Sequence, residues 1–273
     1  MSSTHPNTSY TLAWICALPE EYEVAIAILD EIHGIPQHQP LEDKNAYLLG
    51  RIGQHHVVMV CLPAGRMGTA AAASVAENLC RTFQSVRYGL LVGIGGGVPG
   101  VVSGKDIRLG DVVVSVPGGR NGGVVQYDLE DGEVYQGQLN SPPEKLLSYV
   151  TLLNILMRSP RISGNCFREQ LELLGQEYEY PAHLEDRGIS DYADSRKNDE
   201  WRPRAIAAAC SYAKALVLHM PREEVPQHEN IIHVTDLVKD IRDELGQIKA
   251  AIAGLCHLQK GESHDKECSF RFK

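Results

Sequence analysis

The amino-acid sequence predicts an α/β fold with a mixed central sheet and helices on both of its faces. Three observations carry this prediction. Residues 10–18 form a short apolar run of strand-forming residues, and residues 20–31 follow with apolar side chains at helical spacing. The alternation continues through an Ala-rich segment at 69–83 and an apolar run at 88–94. The chain has 273 residues, of which 43% are hydrophobic, and can therefore bury one sizeable core.

The individual elements follow from local patterns in the sequence. Residues 46–52 and 55–62 are two apolar runs separated by a short segment that contains Gly53, which indicates a β-hairpin. The run at 88–94 continues into a series of glycines, as expected of a buried strand followed by a tight turn. The remaining predicted elements are a strand at 111–116 and helices at 146–157, 166–178 and 203–218. We expect residues 1–220 to form one domain.

Charge and composition restrict the class of protein. The formal net charge of −9 would repel nucleic-acid phosphates, so we expect no nucleic-acid partner. No apolar run reaches the length that spans a bilayer, and the polar segment MSSTHPNTSY does not have the pattern of a signal peptide. We therefore expect a cytoplasmic protein without membrane contact. Of the seven scattered cysteines, Cys16, Cys61 and Cys80 lie in apolar segments, which indicates reduced core residues and not a disulfide framework.

Asp191 is the first candidate catalytic residue. Gly188 and Ile189 have the pattern of a strand end, and the helix predicted at 203–218 follows, so Asp191 would lie at the carboxyl end of a strand, where α/β sheets bind ligands. A partly buried carboxyl group there can donate a proton to a leaving group. The alternative is that Asp191, Asp194 and Ser195 only form a turn and cap the helix, because Asp and Ser are common at such positions.

The other candidate functional-site residues are a glycine turn and a glutamate. Residues 93–97, GIGGG, follow the predicted strand, and glycines let backbone N–H groups approach a ligand closely; the alternative is a tight turn without a ligand. The segment lacks the Lys-Ser/Thr pair of a P-loop and dinucleotide-binding spacing. Glu21 begins the first predicted helix. Acidic residues are favoured in a first turn by the helix dipole, and this explanation is sufficient for Glu20 and Glu23.

Four segments in the same order resemble the purine nucleoside phosphorylase and nucleosidase superfamily, in particular its fungal branch that is fused to signalling modules. ISDYADSRKNDEW at 189–201 is similar to the C-terminal signature of that family. WICALPEE at 14–21 resembles its first strand with a glutamate, and GLLVGIGGG at 89–97 resembles its central glycine turn. GDVVVSVPGGRNGGVVQYD at 110–128 resembles the strand and loop that follow. The resemblance implies a three-layer α/β/α fold.

The resemblance also implies roles for these residues. Glu21 would orient the attacking water and stabilise positive charge on the ribose, while Asp191 would protonate N7 of the leaving purine. Apolar Leu91 and Ile94 occupy positions where phosphorylases carry phosphate ligands, which favours hydrolysis over phosphorolysis. No cofactor and no metal are implied. The residues expected to contact the purine nucleoside are Ile94, Gly95, Gly96, Gly97 and Ser190.

One part of the family pattern is missing from this chain. The family has a strand and a Glu-Met-Glu-type motif that binds the ribose hydroxyls before its C-terminal signature, but here Leu184, Glu185 and Asp186 run directly into Arg187 and the signature. We infer an internal deletion of several tens of residues, and so a domain that is incomplete relative to its family. Losing the ribose contacts would remove both orientation and charge stabilisation, and we therefore expect a catalytically poor protein.

The sequence pattern changes after residue 220. Residues 221–230 resemble a polar linker, and residues 231–255 carry an apolar stripe at three- and four-residue spacing, which predicts one amphipathic helix. That helix either docks on its own domain or binds a partner, as a homo-oligomer or a coiled coil. A polar tail follows at 256–273. The spacing of Cys256, His257, His264 and Cys268 matches no tight zinc-ligand pair, so no metal is predicted there.

Two functional hypotheses of different classes remain open from the sequence. The first is an enzyme that cleaves purine nucleosides, with an activity reduced or lost through the deletion. The second is a non-catalytic nucleoside-sensing or scaffolding domain of a fungal signalling protein similar to the nucleotide-binding leucine-rich repeat (NLR) class. The missing ribose segment favours the second hypothesis, and the family as a whole favours the first.

Overall fold

The computed structural model describes residues 3, 5–66, 68–97, 109–119, 121–128, 134–138, 140–158, 169, 172, 174, 189 and 201–222. These residues belong to one compact unit, Met1–Glu224. Its strands are β1 (Leu12–Cys16), β2 (Glu31–Gly34), β3 (Tyr47–Ile52), β4 (His55–Cys61), β5 (Tyr88–Leu91), β6 (Val125–Asp128) and β7 (Val134–Gln138). Its helices are α1 (Pro19–Ala27), α2 (Thr69–Thr82), α3 (Glu144–Arg158) and α4 (Arg202–His219). Within this part of the chain, none of the helices combines the length and the apolar character that crossing a membrane requires.

The main sheet is mixed, as the sequence predicts. Its strand order is β2-β3-β4-β1-β5, with β1 parallel to both β4 and β5 and β3 antiparallel to both β2 and β4. The β3–β4 hairpin turns between Ile52 and His55, which pair with each other. Gly53 enables this two-residue turn because its φ of 56° lies in the left-handed region. β6 and β7 form a separate antiparallel pair.

Side chains alternate between the two faces of the sheet and pack on a helix layer at each face. Trp14 of β1 and Met59 of β4 are fully buried in one cluster, together with residues of α1 and α4. Ala13 of β1 and Val58 of β4 point the other way, into a cluster with α2. Helices therefore cover both faces of the five-stranded sheet, and the expected α/β/α layering is confirmed.

Helix α4 is buried on several sides. Ala207 and Val217 pack against the sheet and α1, whereas Leu216 packs against Val150 of α3. Its alanines let neighbouring elements approach closely, which explains why an Ala-rich segment forms an interior helix. The buried Lys214 is held by the carbonyl of Ile28 at 2.7 Å and by the carboxylate of Asp30 at 2.8 Å.

The first predicted helix is too long. The sequence pattern predicts a helix at 20–31, but α1 ends at Ala27 and Glu31–Gly34 form strand β2. Backbone pairing explains the difference, because the Asp30 N–H donates to the Arg51 carbonyl at 2.9 Å and Glu31 pairs with Arg51 of β3. Sheet contacts from distant parts of the chain override the local helical spacing.

The predicted strand at 111–116 is not formed. Near this segment, the described residues form one parallel β-bridge, between Leu109 and Ile189. Residues 111–117 themselves have no regular secondary structure. Val112 and Val114 pack instead against the cluster between α3 and α4. An apolar run becomes a strand only where a neighbouring backbone offers a ladder of hydrogen bonds. The predicted helices at 166–178 and 231–255 lie largely or wholly outside the described residues.

Candidate functional site

Glu21 lies where β1 leads into α1. Pro19 is the first residue of this helix, a position where its fixed φ and missing N–H are tolerated, and Glu21 is the third. The Glu21 side chain is buried, with an exposed fraction of 1% for the residue. Acidic residues near a helix start are common, but they are normally solvated. The burial of Glu21 therefore requires hydrogen bonds from the protein.

Three backbone N–H groups supply these hydrogen bonds. Ala17 and Leu18 each donate to Glu21 Oε2 at 2.9 Å, and Ile94 donates to Glu21 Oε1 at 2.9 Å. The first two donors follow β1 and the third follows β5. One carboxylate therefore joins the carboxyl ends of two adjacent parallel strands, which is the edge of an α/β sheet where ligands bind. Oε1 accepts one of these three bonds and retains a second acceptor position.

The glycine turn is shaped to fit this carboxylate. A Cβ atom at position 93 would lie 2.5 Å from Glu21 Oε1 and 2.8 Å from both its Cδ and Oε2 atoms, so only glycine fits there without displacement. At Gly95, by contrast, a Cβ atom would meet no atom within 4 Å. Gly93, Gly95 and Gly96 are all exposed. The turn thus packs against Glu21 at Gly93, exposes its backbone at Gly95 and Gly96, and is buried again at Gly97.

Cysteine thiols border Glu21 and are free in the structure. Burial, followed by the charge of Glu21, raises the pKa of Cys16 to about 12. Burial also raises the pKa of Cys61 and, more strongly, that of Cys210. These thiols stay protonated at neutral pH and behave as small apolar groups. Cys16, Cys61 and Cys80 are free, and Cys16 is buried as expected of a core residue, whereas Cys61 and Cys80 are half-buried.

The structure brings together some of the predicted site residues. Glu21 contacts Gly93 and Ile94, and the Ile94 N–H donates to Glu21 while the Ile94 side chain packs against the core. Asp191 and Ser190 lie outside the described residues. Ile189 just before them is buried, and its carbonyl accepts a hydrogen bond from Gly110 N at 2.8 Å. The proposed roles of Asp191, Ser190, Gly95, Gly96 and Gly97 stay predictions.

The specific role of Gly93 is not evident from the sequence. The pattern of residues 93–97 indicates one ligand-binding turn, whereas the structure separates Gly93, which accommodates Glu21, from the residues after it. The alternation Gly-Ile-Gly was visible in the sequence. It could not indicate which glycine faces a buried side chain from another strand.

Replacing Gly93 with alanine is expected to destabilise the protein by about 1–2 kcal/mol, because the new methyl group overlaps the Glu21 carboxylate. Gly95→Ala is the matched control, since it adds the same methyl group two residues later in open space. Urea unfolding of both variants measures the effect. Equal midpoints for the two variants would contradict the close contact between Gly93 and Glu21.

Comparisons with known proteins place this chain in a family. The family model of the Phosphorylase superfamily matches residues 11–147, which include Glu21 and the glycine turn. An NLR-like protein of Hyaloscypha variabilis is 33% identical over 307 residues, covering 82% of this chain and 30% of the relative. The chain therefore spans less than a third of the length of that relative.

Solved structures of low sequence identity share the fold. S-adenosylhomocysteine nucleosidase from Streptococcus pyogenes, in complex with 5-methylthiotubericidin, is 17% identical with a TM-score of 0.51, over 78% of this chain and 98% of that chain. Futalosine hydrolase of Helicobacter pylori is 16% identical with a TM-score of 0.50, over 78% of this chain and 99% of that chain. The family model covers half of the chain and agrees with the resemblance seen in four sequence segments. The chain belongs to the Phosphorylase superfamily, as a nucleoside phosphorylase or nucleosidase-type domain.

Proposed function

We propose that this domain binds purine nucleosides and hydrolyses their N-glycosidic bond. The observation that carries the proposal is the position of Glu21, buried and oriented by three backbone N–H groups beside an exposed glycine turn. A carboxylate fixed in this way can hold a water molecule through the remaining acceptor position of Oε1. The same negative charge stabilises the positive charge that develops on the sugar as the bond to the base breaks.

The leaving base needs a proton, and we assign this role to Asp191. A purine leaves poorly as an anion, and protonation at N7 by a carboxyl group removes that barrier. Water is preferred to phosphate as the nucleophile because the sequence resemblance implies phosphate-binding groups at the positions of Leu91 and Ile94, which are apolar in this chain. Support for a purine nucleoside as substrate comes from the nucleosidase with a similar fold, whose name specifies S-adenosylhomocysteine.

A second candidate function follows from the alignment with the NLR-like relative. That alignment extends over 307 residues, more than this entire 273-residue chain, although it covers only 82% of the chain. The relative therefore has residues inside the aligned region that this chain lacks, which supports the proposed internal deletion. A domain that retains Glu21 and the glycine turn but lacks ribose contacts would sense a nucleoside without cleaving it.

A measurement of free base released from nucleosides distinguishes the hydrolytic function from the sensing function. The full chain is incubated with adenosine, inosine, guanosine or S-adenosylhomocysteine, with and without inorganic phosphate, and free base is quantified by chromatography. Hydrolysis predicts base release that does not depend on phosphate. Release in proportion to phosphate would instead establish phosphorolysis. Nucleoside binding in calorimetry without any base release would favour the sensing function, and an absence of both would refute a nucleoside ligand.

Asp191→Asn is expected to reduce base release by at least about 100-fold, because an amide cannot donate the proton that the base requires. Asp194→Asn is the matched control, since it removes a carboxylate from the same segment three residues later. The measurement is kcat with the best nucleoside found above, at unchanged nucleoside affinity. Equal losses in the two variants would remove the specific role of Asp191.

A further inference from the structure

Three histidines from distant parts of the chain form a cluster, and one of them, His56, lies at the end of the parallel strands opposite to the end where Glu21 lies. One ring nitrogen each from His5, His33 and His56 lies within 4.8 Å of the others. The ring centroids are 4.6 Å apart for His5 and His33, 4.5 Å for His5 and His56, and 5.0 Å for His33 and His56. His56 lies at the start of β4, whereas Glu21 follows the carboxyl end of the parallel strand β1. We call these three residues the histidine cluster.

Backbone contacts bring His33 and His5 to the cluster. Ile32 pairs with Gly50 and Gly34 pairs with Leu49, so His33 is the extra residue of a β-bulge, a feature that redirects side chains. The segment that carries His5 is fastened to the chain after β2, because Ser3 N donates to the Ile35 carbonyl at 2.8 Å and Gln37 Nε2 donates to the Ser3 carbonyl at 2.7 Å. Three separate segments are thus held around one point.

A chain of hydrogen bonds orients His33. Its Nδ1 atom lies 2.9 Å from the hydroxyl of the buried Tyr10, and that hydroxyl lies 2.9 Å from Ser3 Oγ. When Nδ1–H donates to Tyr10, the Nε2 lone pair of His33 is available to another group. Histidines that bind metals typically donate their second ring N–H to a polar group in this manner.

His56 provides an independent observation. Its Nδ1 atom is buried and, among the described residues, has no hydrogen-bond partner. An orphaned buried nitrogen is costly and requires an explanation. A metal ion bound at the histidine cluster would give this nitrogen a partner, because imidazole nitrogens are common metal ligands.

The charges around the histidine cluster permit a cation. Glu31 Oε2 lies 3.9 Å from His33 Nε2, and the same oxygen accepts a hydrogen bond from Arg51 Nε at 3.1 Å. The Glu31 carboxylate therefore offsets the nearby guanidinium and can supply an oxygen ligand by a small rotation. Tetrahedral zinc sites place neighbouring ligands about 3.4 Å apart, so the nitrogens need to approach by roughly 1 Å.

We propose that His5, His33 and His56 bind a divalent transition-metal cation, with zinc as the representative ion. Three imidazoles suit zinc, cobalt and nickel, and leave a fourth position for water or a carboxylate. The cation would join the segment of His5 to strands β2 and β4. Its role is structural, because it lies at the edge of the sheet opposite Glu21. The proposal does not depend on nucleoside cleavage.

Metal titration of the full chain tests the proposal. The protein is stripped with a chelator, and zinc binding is followed by calorimetry and by the rise in melting temperature. Cobalt is used in parallel, since its visible absorption reports imidazole ligation. We expect one zinc equivalent to bind to the histidine cluster and to raise the melting temperature. No detectable zinc binding by the folded chain would overturn the proposal.

Variants identify the ligands. His33→Gln and His56→Gln are each expected to weaken zinc binding by at least about tenfold, and Tyr10→Phe by about tenfold through the loss of its hydrogen bond to His33. His38→Gln is the matched control, because His38 is an exposed histidine near the same strands.

The double variant Cys256→Ser with Cys268→Ser tests whether the tail cysteines bind the metal. We expect this variant to bind zinc like the unchanged protein. If His33→Gln fails to fold, His5→Gln replaces it. Binding that survives every histidine-cluster variant, or that is lost only with the tail cysteines, would refute the assignment.

Discussion

Replacing Glu21 with alanine is expected to lower the free energy of unfolding by about 4 kcal/mol, because the backbone N–H groups of Ala17, Leu18 and Ile94 lose their charged acceptor together. Hydrogen bonds to charged groups contribute about 1.5–3 kcal/mol each, and three bonds to one group are not additive. Chemical denaturation with urea measures the loss. Glu20→Ala is the control, since Glu20 makes a 3.7 Å ion pair with Arg202 at the surface, and we expect a change below about 1 kcal/mol.

Glu21→Gln separates the structural role from the proposed chemical one. A glutamine keeps the shape, but its NH2 group must face either the Ile94 N–H or the N–H groups of Ala17 and Leu18, which places donor against donor. We therefore expect an intermediate loss of about 1–3 kcal/mol for this variant. If both Glu21 variants unfold at the same urea concentration as the unchanged protein, the hydrogen-bonded position of Glu21 is wrong. A folded Glu21→Gln that cleaves nucleosides at the full rate would leave that position intact but exclude the role in orienting water.

Asp30→Ala is expected to destabilise the protein by about 2–3 kcal/mol, because it leaves the ammonium of Lys214 buried without its counter-charge. Only 8% of the Lys214 side chain is exposed, whereas 32% of the Asp30 side chain is, so water moderates the loss. Lys214→Met is expected to cost less, since methionine keeps the length of the side chain and removes the charge. In the double variant of Asp30→Ala with Lys214→Met, the loss of unfolding free energy should be smaller than the sum of the losses in the two single variants. If the losses were strictly additive, the interaction between Asp30 and Lys214 would contribute nothing to stability.

The same ion pair makes stability depend on pH. Burial acts to raise the pKa of Asp30, but the hydrogen bonds from Lys214 and Gly53 and the charge of Lys214 outweigh it and hold the pKa below its ordinary value of 3.8. A carboxylate whose pKa is lowered by folding stabilises the protein above its unfolded pKa. That contribution disappears as the pH falls from about 4 through the folded pKa. The difference in melting temperature between the unchanged protein and Asp30→Ala should therefore shrink below about pH 4.

Elements with strong local signals could be predicted from the sequence. The hairpin predicted at 46–52 and 55–62 is observed as β3 and β4 with its turn at Gly53, because an apolar alternation and a glycine specify it locally. The predicted Ala-rich helices were also right to within a few residues. Strand β2 was missed, since it depends on pairing with β3 and not on its own pattern.

Contacts between distant segments could not be predicted in the same way. The sequence resemblance selected Glu21, but nothing local indicates that its acceptor oxygens bind Ile94, or that Gly93 has to lack a side chain for this reason. His33 and His56 likewise come together only because a β-bulge turns one of them. Single residues that meet across a sheet leave no periodic signal in the chain.

The central place of β1 has a consequence for the order in which the chain folds. Trp14 of β1 pairs with Met59 and Leu90, which lie 45 and 76 positions later, whereas β3 and β4 are joined by a two-residue turn. Closing long loops is slow compared with forming a hairpin, so β3 and β4 are expected to associate before β1 is inserted. On the ribosome, β1 would pair with β4 first and acquire its second neighbour only after β5 has been synthesised. The local donors Ala17 and Leu18 can reach Glu21 early, whereas the Ile94 N–H can reach it only after β5 has joined the sheet, so a nascent chain would complete the Glu21 site and the sheet together.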